Sequence, residues 1–151
     1  MTDGHTLTMS RTFEAPPQRV FEAWTSAEVM KRWWHAGHDW ETSEASVDLR
    51  VGGAVRVVMR NPHEDEEYGG GGEYTEIDPP RRLAFTWEWD DERDQRSQVI
   101  EIDFVPEGGD RTTVHFTHHG LWDQETVHDH EDGWGKVLDN LGRDLRKERG
   151  G

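Results

Sequence analysis

The sequence has no cysteine and only three lysines among its 151 residues. Without thiols the chain cannot form a disulfide framework, a thiolate metal site or a cysteine nucleophile. No apolar run approaches the roughly 20 residues of a membrane-spanning helix, and the N-terminal stretch lacks the basic and apolar regions of a secretory signal. These absences predict a cytoplasmic protein whose stability depends on its core.

Basic residues are scarce, since 17 Lys and Arg face 32 Asp and Glu for a formal net charge of -15. A surface this negative repels phosphate backbones and anionic headgroups, so we expect neither nucleic acid nor a membrane as a partner. The acids are spread along the whole chain. That distribution favours a halophilic protein in a high-salt cytoplasm, where the Debye length shrinks to about 3 Å near 1 M. The alternative is an ordinary acidic protein.

Apolar residues are also few, because hydrophobic side chains make up 32% of the sequence. Typical globular domains reach roughly 45 to 50% when glycine is counted. Eight tryptophans offset this shortage, since each buried aromatic side chain removes roughly 150 to 250 Å² from water. The aromatic content also argues against disorder, and the length suits one domain. We therefore predict a single domain built around tryptophan.

The first third of the chain predicts one strand followed by two short helices. Weak alternation over 5–13 predicts the strand, and Pro16-Pro17 favours a helix start. A capping box from Thr25 to Glu28 predicts the start of the second helix, with the Thr25 hydroxyl as the cap. The apolar residues of these helices are Val20, Phe21 and Trp24, then Val29, Met30, Trp33 and Trp34.

The middle of the chain changes to a period of two, which is typical of strands with one buried face. A hairpin is predicted around Gly52-Gly53, and residues 61–72 are interpreted as a polar connection with a mobile glycine run. The alternating apolar sets are Val47, Leu49 and Val51; Val55, Val57 and Met59; Leu83, Phe85, Trp87 and Trp89; Ile100, Ile102 and Phe104; and Val114, Phe116 and His118. Together they predict an antiparallel meander.

Beyond Gly120 the pattern predicts one long amphipathic helix with Asp123 as its N-cap. Its stripe consists of Val127, Glu131, Trp134, Val137, Leu138, Leu141 and Leu145. A sheet with one apolar face is expected to bury that face against this stripe. The predicted fold class is therefore α+β, a helix-grip fold in which a curved antiparallel sheet wraps around the long C-terminal helix. Such a sheet commonly leaves a cavity for a small ligand.

Several short motifs resemble a known family when they are taken in order. They are Ala15-Pro16-Pro17 with Val20 to Thr25, Arg32-Trp33-Trp34, Val51-Gly52-Gly53, Gly72 to Leu83 with Phe85-Thr86-Trp87, His118-His119-Gly120-Leu121, and Gly133-Trp134 with Leu138 to Leu141. Over residues 6–145 the chain resembles the START-like (SRPBCC) superfamily, and within it the homologues of the heat-shock-protein-90 ATPase activator. The resemblance implies one START-like domain over 1–151.

The resemblance also implies an internal hydrophobic cavity that binds lipids, polyketides or other apolar molecules, without a shared reaction. We therefore expect a small hydrophobic or aromatic ligand and no cofactor. A co-chaperone-like role in the stress response, with a chaperone as partner, is an alternative. The resemblance also implies that the eukaryotic co-chaperone carries a further N-terminal domain, and in these 151 residues we expect no counterpart of it. Monomer and homodimer are both compatible with the sequence.

A ligand site of this kind needs an apolar wall with a few polar groups. The candidate ligand-binding residues lie on the predicted inner faces, and they are Trp34, Tyr74, Trp87, Trp89, Phe116, His118, Val127, His130, Trp134 and Leu138. The alternative for each aromatic residue is that it simply fills the core. We further expect Trp34, Tyr74, His118 and His130 to meet near one end of the cavity.

Nine histidines raise the question of a metal or catalytic site. The pairs at 35/38, 118/119 and 128/130 lack the i, i+4 spacing of a helical zinc site, so we expect no metal. His118 falls on the inner face of its strand and is the candidate general base of an alternative cyclase/aromatase-like or hydrolytic enzyme. The other interpretation is a core histidine with satisfied hydrogen bonds. No nucleophile elbow or phosphate-binding loop accompanies it.

Overall fold

The computed structural model describes residues 5–35, 40–90, 98–121 and 123–150, except for the side chains of 147–150. Within these ranges the elements are β1 (His5–Phe13), α1 (Pro17–Thr25), α2 (Ala27–Trp33), β2 (Glu41–Val47), β3 (Ala54–Asn61), β4 (Glu66–Asp78), β5 (Arg82–Trp89), β6 (Gln98–Pro106), β7 (Thr112–Leu121) and α3 (Gln124–Gly150). Strand, two short helices, further strands and a long helix follow one another as the sequence pattern predicts.

The described strands form one antiparallel sheet in the order β1-β7-β6-β5-β4-β3-β2. The sheet is curved and does not close, so β1 and β2 are its edges. From β2 to β7 every strand pairs with the next along the chain, and β1 is added at the far side of β7. The predicted α+β helix-grip architecture is therefore confirmed.

Each of the two short helices begins at a residue that is typical of helix starts. Pro17 occupies the first turn of α1, where its missing N–H costs nothing. The predicted cap of α2 is wrong by one residue, because Ser26 has the extended backbone and its hydroxyl accepts from the Val29 N–H at 3.4 Å. Thr25 is still helical, and its hydroxyl donates back to the Phe21 carbonyl at 3.0 Å.

The predicted β2–β3 hairpin is present, but its first strand is shorter than expected. β2 ends at Val47, and the side chains of Leu49 and Val51 are 44% and 64% exposed in the connecting turn. Gly52 has a φ of +88°, which favours glycine, and the Gly53 N–H donates to the Arg50 carbonyl at 2.8 Å. This turn geometry overrides the alternation of the apolar residues.

The interpretation of the glycine run as a mobile loop is wrong, because Gly69–Gly72 lie inside β4. Residues 69–72 pair with Val55–Val58 of β3, and Gly70 also pairs with Trp89 of β5. A Cβ on Gly72 would collide with the Thr86 carbonyl of the neighbouring strand. The glycines therefore permit a close approach of strands, which the sequence does not distinguish from loop flexibility.

The long helix α3 covers the inner face of the sheet. Asp123 caps it as predicted, since its side chain accepts from the Thr126 N–H at 2.8 Å. All the predicted stripe residues are buried except Glu131, and α3 packs against β1, β7 and α2. The core therefore lies between the sheet and the three helices. Among the described residues, none of the helices combines the length and apolar character that crossing a bilayer requires.

Candidate functional site

The inner face of the sheet and the three helices enclose a continuous group of buried aromatic rings, which we call the aromatic cluster. Its members come from α1, the end of α2, β5, β7 and α3, and they are Trp24, Trp33, Trp34, Trp87, Phe116 and Trp134. Neighbouring rings have centroid distances from 4.5 to 6.5 Å. The cluster therefore supplies a large apolar surface at the centre of the fold.

Trp34 is the central ring of the aromatic cluster. It stacks on Trp87 at 5.7 Å with an interplanar angle of 20°, and it meets Trp134 edge-on at 5.5 Å. Its position follows from the end of α2, where its N–H donates to the Met30 carbonyl at 2.9 Å. The Thr42 hydroxyl of β2 donates to the Trp34 carbonyl at 2.8 Å. Trp34 thus connects the helical side of the interior with the sheet.

Tyr74 extends the aromatic cluster along the sheet. Its ring meets Phe85 at 5.9 Å, and Phe85 meets Trp87 at 6.2 Å. Its N–H donates to the Gly53 carbonyl of the β2–β3 turn at 3.0 Å. Only 1% of Tyr74 is exposed, and this burial raises the pKa of its hydroxyl well above the ordinary value. The hydroxyl, neutral near pH 7 in any tyrosine, therefore stays neutral at alkaline pH as well.

Three polar atoms in this interior are buried without a hydrogen-bond partner in the described structure. They are Nε1 of Trp24, the hydroxyl of Tyr74 and Nε1 of Trp87. By contrast, Nε1 of Trp33 donates to the Ala23 carbonyl at 3.1 Å. A buried donor without a partner costs about 1 to 3 kcal/mol, so such groups are rare in native interiors.

His118 lies at one end of the aromatic cluster with both ring nitrogens engaged. Nε1 of Trp134 donates to Nδ1 of His118 at 3.2 Å, which places the His118 proton on Nε2. Nε2 then donates to Oε1 of Gln98 at 2.8 Å. Burial above all lowers the pKa of His118 to about 3. The side chain is therefore neutral near pH 7, and its lone pair is already used.

His130 of α3 faces His118, with ring centroids 5.2 Å apart and an interplanar angle of 87°. Its Nδ1 donates to the Thr126 carbonyl at 2.9 Å, while Nε1 of Trp89 donates to its Nε2 at 3.2 Å. Burial lowers the pKa of His130 as well. Two neutral histidines, each receiving an indole N–H, therefore form the polar end of the interior.

The structure places the ten predicted ligand-binding residues in or beside this interior. Trp34, Trp87, Phe116 and Trp134 belong to the aromatic cluster, and Val127 and Leu138 belong to the same hydrophobic core. His118, His130 and Trp89 form the polar end, and Tyr74 joins the cluster through Phe85. Of the four residues expected to meet, His118 and His130 are in ring contact with each other, and Trp34 is in ring contact with Trp134.

Sequence reasoning did not select Trp24 or Gln98 as site residues. The helical spacing places Trp24 on the apolar face of α1, and in the structure its ring meets Trp34 at 5.5 Å. Gln98 precedes Ile100 and Ile102 by even steps, so the alternation of β6 could have placed it on the inner face. A polar residue in phase with buried neighbours is the signal that would have found it.

The outer face of the sheet carries a separate polar groove of about 340 Å³. Ser43, Glu44, Arg56, Val58, Glu67, Gly69 and Asp90 line it. Arg56 crosses the groove and donates to Asp90 at 2.9 and 2.7 Å, so its charge is already compensated. His38 of the 35/38 pair lies outside the described residues. Elsewhere in the described chain, no three His, Asp or Glu side chains are grouped as metal ligands would be.

The chain was compared with protein families and with solved structures. The family model described as Activator of Hsp90 ATPase homolog 1-like protein matches residues 14–145. The AHSA1 protein from Silicibacter pomeroyi is similar in structure, with a TM-score of 0.83 and 27% identity over 95% of this chain and 99% of that chain. The AHSA1-like protein from Aeromonas hydrophila has a TM-score of 0.77 and 27% identity over 95% and 94%.

An HSP90 activator from Plasmodium falciparum has a TM-score of 0.74 and 22% identity over 94% of this chain and 96% of that chain, which shows a shared fold. No curated protein matches the sequence.

Proposed function

Given that the chain belongs to the family of Activator of Hsp90 ATPase homolog 1-like proteins, we propose that it binds a small hydrophobic molecule among the rings of the aromatic cluster. The family and its fold supply the general architecture, and the residues of this chain supply the chemistry. A molecule lying against several indole faces would bury a large apolar area without any covalent step.

The three unpartnered donors on Trp24, Tyr74 and Trp87 are the observation that carries this proposal. All three belong to residues that are 1% exposed, and all three lie on rings connected by ring contacts. A filled and permanent core would be expected to satisfy or replace such groups. A bound molecule offers them partners that the protein itself does not provide.

A catalytic role for His118 has less support than ligand binding. Nδ1 of His118 accepts from Trp134, and Nε2 donates to Gln98, so a general base would first have to break a buried hydrogen bond. A co-chaperone-like role rests on the shared fold with an HSP90 activator, and a shared fold does not carry a function by itself. Neither alternative has an observation in its favour that equals the unpartnered donors.

Binding can be tested with N-phenyl-1-naphthylamine, an uncharged probe that fluoresces in apolar surroundings. The protein is first unfolded in denaturant and refolded, so that any resident molecule is removed. Because the tryptophans lie in the proposed site, excitation of tryptophan should transfer energy to the bound probe. Saturable energy transfer with about one probe per chain is the expected result.

Adjacent valines of β3 provide a matched pair of variants. Val57 belongs to the interior core, whereas Val58 is buried beneath the outer groove on the opposite face of the strand. Val57→Phe should weaken probe binding by occupying the interior, and Val58→Phe should leave it unchanged. Circular dichroism checks that both variants fold. Equal binding by both variants, or no saturable transfer in the parent protein, would contradict the proposed function.

A further inference from the structure

We propose that the ligand of this interior is an uncharged apolar compound with at least two hydrogen-bond acceptors, such as carbonyl oxygens, which Trp24, Tyr74 and Trp87 recognise. This inference rests on the proposed function and names the class of ligand for the same site. It excludes fatty-acid anions and other charged lipids as preferred ligands.

The chemistry of the unpartnered atoms determines which groups the ligand must offer. The indole N–H of Trp24 and of Trp87 can only donate, whereas the hydroxyl of Tyr74 can donate or accept. A ligand that only donates could satisfy the tyrosine and neither tryptophan. The ligand must therefore present acceptors.

The elements that carry the three donors favour more than one acceptor. Trp24 belongs to α1 on the helical side, while Tyr74 and Trp87 belong to the neighbouring strands β4 and β5. The ring of Trp34 contacts both Trp24 and Trp87, at 5.5 and 5.7 Å, so the two indoles flank it from the helical side and from the sheet. Acceptors at two points of one ligand would serve the two sides together.

The glycines of β4 hold the N–H edge of Trp87 close to the sheet. A Cβ on Gly70 would lie 2.6 Å from Cζ2 and 2.9 Å from Cε2 of Trp87, and Cε2 is bonded to Nε1. Only glycine allows this approach. On the inner face, Gly70 and Gly72 are flanked by Val55 and Val57 of β3, so this strip of the sheet carries no large side chain of its own.

The charges of the interior indicate that the ligand is uncharged. Among the described residues, the buried polar set contains no lysine or arginine and a single carboxylate, Asp144, which Arg32 pairs at 3.0 Å. His118 and His130 are held neutral by burial. A charged ligand group would therefore lack a compensating partner, and burying such a charge costs several kcal/mol.

Three probes with similar ring systems separate the possibilities. Menadione, a naphthoquinone, has two carbonyl acceptors and no donor, 2-methylnaphthalene has the same carbon skeleton without the oxygens, and 2-naphthoate carries a charge. Menadione cannot be trapped by thiol addition here, because the chain has no cysteine. Binding of each probe to refolded protein is followed by two-dimensional NMR of the 15N-labelled indole groups and by calorimetry.

The indole resonances report directly on the proposed hydrogen bonds. Menadione should move the N–H signals of Trp24 and Trp87 downfield, and 2-methylnaphthalene should not. Trp33, Trp89 and Trp134 already donate to acceptors of the protein, so their N–H signals act as internal controls. Single Trp→Phe variants assign the signals.

A tyrosine pair completes the test. Tyr74→Phe should weaken menadione binding about threefold to tenfold, as expected for one hydrogen bond, and leave 2-methylnaphthalene unaffected. Tyr68→Phe is the control, since the Tyr68 hydroxyl donates to Glu66 at the surface. Equal affinity for menadione and 2-methylnaphthalene, or tighter binding of 2-naphthoate, would overturn the inference while the proposed function stands. Failure of all three probes to bind would overturn both.

Discussion

Replacing Tyr74 with phenylalanine should stabilise the ligand-free protein, although most substitutions of a fully buried side chain destabilise. The Tyr74 ring stays in place against Phe85, and the substitution removes only a hydroxyl that has no partner in the described structure. In the unfolded chain this hydroxyl is hydrated. Folding therefore strips it of water without a replacement, and the phenylalanine variant avoids that cost.

The expected gain follows from two opposing contributions. Burying an unpaired hydroxyl costs about 1 to 3 kcal/mol, and this cost disappears in Tyr74→Phe. The space left by one oxygen is smaller than a methyl group and costs less than about 1 kcal/mol. The net stabilisation is about 1 kcal/mol, which for a domain of this length raises the melting temperature by about 2 to 4 °C.

Equilibrium unfolding in urea, with refolded protein free of bound molecules, measures the difference. The assay belongs near pH 7, where the Tyr74 hydroxyl is neutral, since the ordinary pKa of tyrosine is about 10 and burial raises the pKa of Tyr74 further. Tyr68→Phe removes a hydroxyl that donates to Glu66 at the surface, and it should leave stability within about 0.5 kcal/mol. A loss of 1 kcal/mol or more in Tyr74→Phe would show that the hydroxyl has a partner in the free protein, and the reasoning from unpartnered donors would fail.

Three further predictions concern the charge, the buried histidines and the glycines. Urea midpoints should rise between 0.1 and 1 M KCl as the Debye length falls from about 10 to 3 Å, and equal midpoints would refute the halophile hypothesis. In the unfolded chain the pKa of histidine is near 6.5, whereas burial lowers the pKa of native His118 to about 3. The free energy of unfolding should therefore decrease as the pH drops below 6.5, by about 1.4 kcal/mol per pH unit from this residue. His118→Gln should flatten that slope in pH-dependent unfolding, with the same change at the exposed His128 as a surface control, and an unchanged slope in His118→Gln would contradict the assignment. Gly70→Ala should destabilise by about 1 to 3 kcal/mol through its clash with Trp87. Gly135→Ala on α3, where a Cβ would make only ordinary contacts with Arg11 and Met9 at 3.6 and 3.9 Å, should stabilise by up to about 1 kcal/mol. Thermal unfolding compares the two, and equal shifts would refute the close approach.

The elements with the strongest periodicity could be predicted from the sequence. Leu83, Phe85 and Trp87 of β5 alternate without interruption, and all three are buried. The stripe of α3 recurs at three or four residues and faces the core. Such patterns predict the structure reliably because the apolar face of a strand or helix is buried on folding.

Where a residue type is typical of two different local structures, the sequence could not show which one forms. Thr25 and Ser26 are both good helix caps, and only the backbone break between α1 and α2 selects Ser26. Glycine is typical both of flexible loops and of strands that approach closely, so the sequence alone did not reveal that the run at 69–72, interpreted as a mobile loop, belongs to a strand. The collision that a Cβ on Gly72 would cause decides for the strand, and it involves a residue of another strand.

The sequence by itself determined the order of the elements and the predominance of tryptophan in the core, because composition and periodicity act over a few neighbouring residues, and its ordered motifs carried the resemblance to the family. Only the tertiary structure decided which tryptophans have hydrogen-bond partners. Trp134 reaches His118 and Trp89 reaches His130, while the N–H groups of Trp24 and Trp87 have no acceptor in the described chain. A hydrogen bond needs a donor and an acceptor about 3 Å apart, and between residues distant in the chain that distance is set by the packing of helix on sheet.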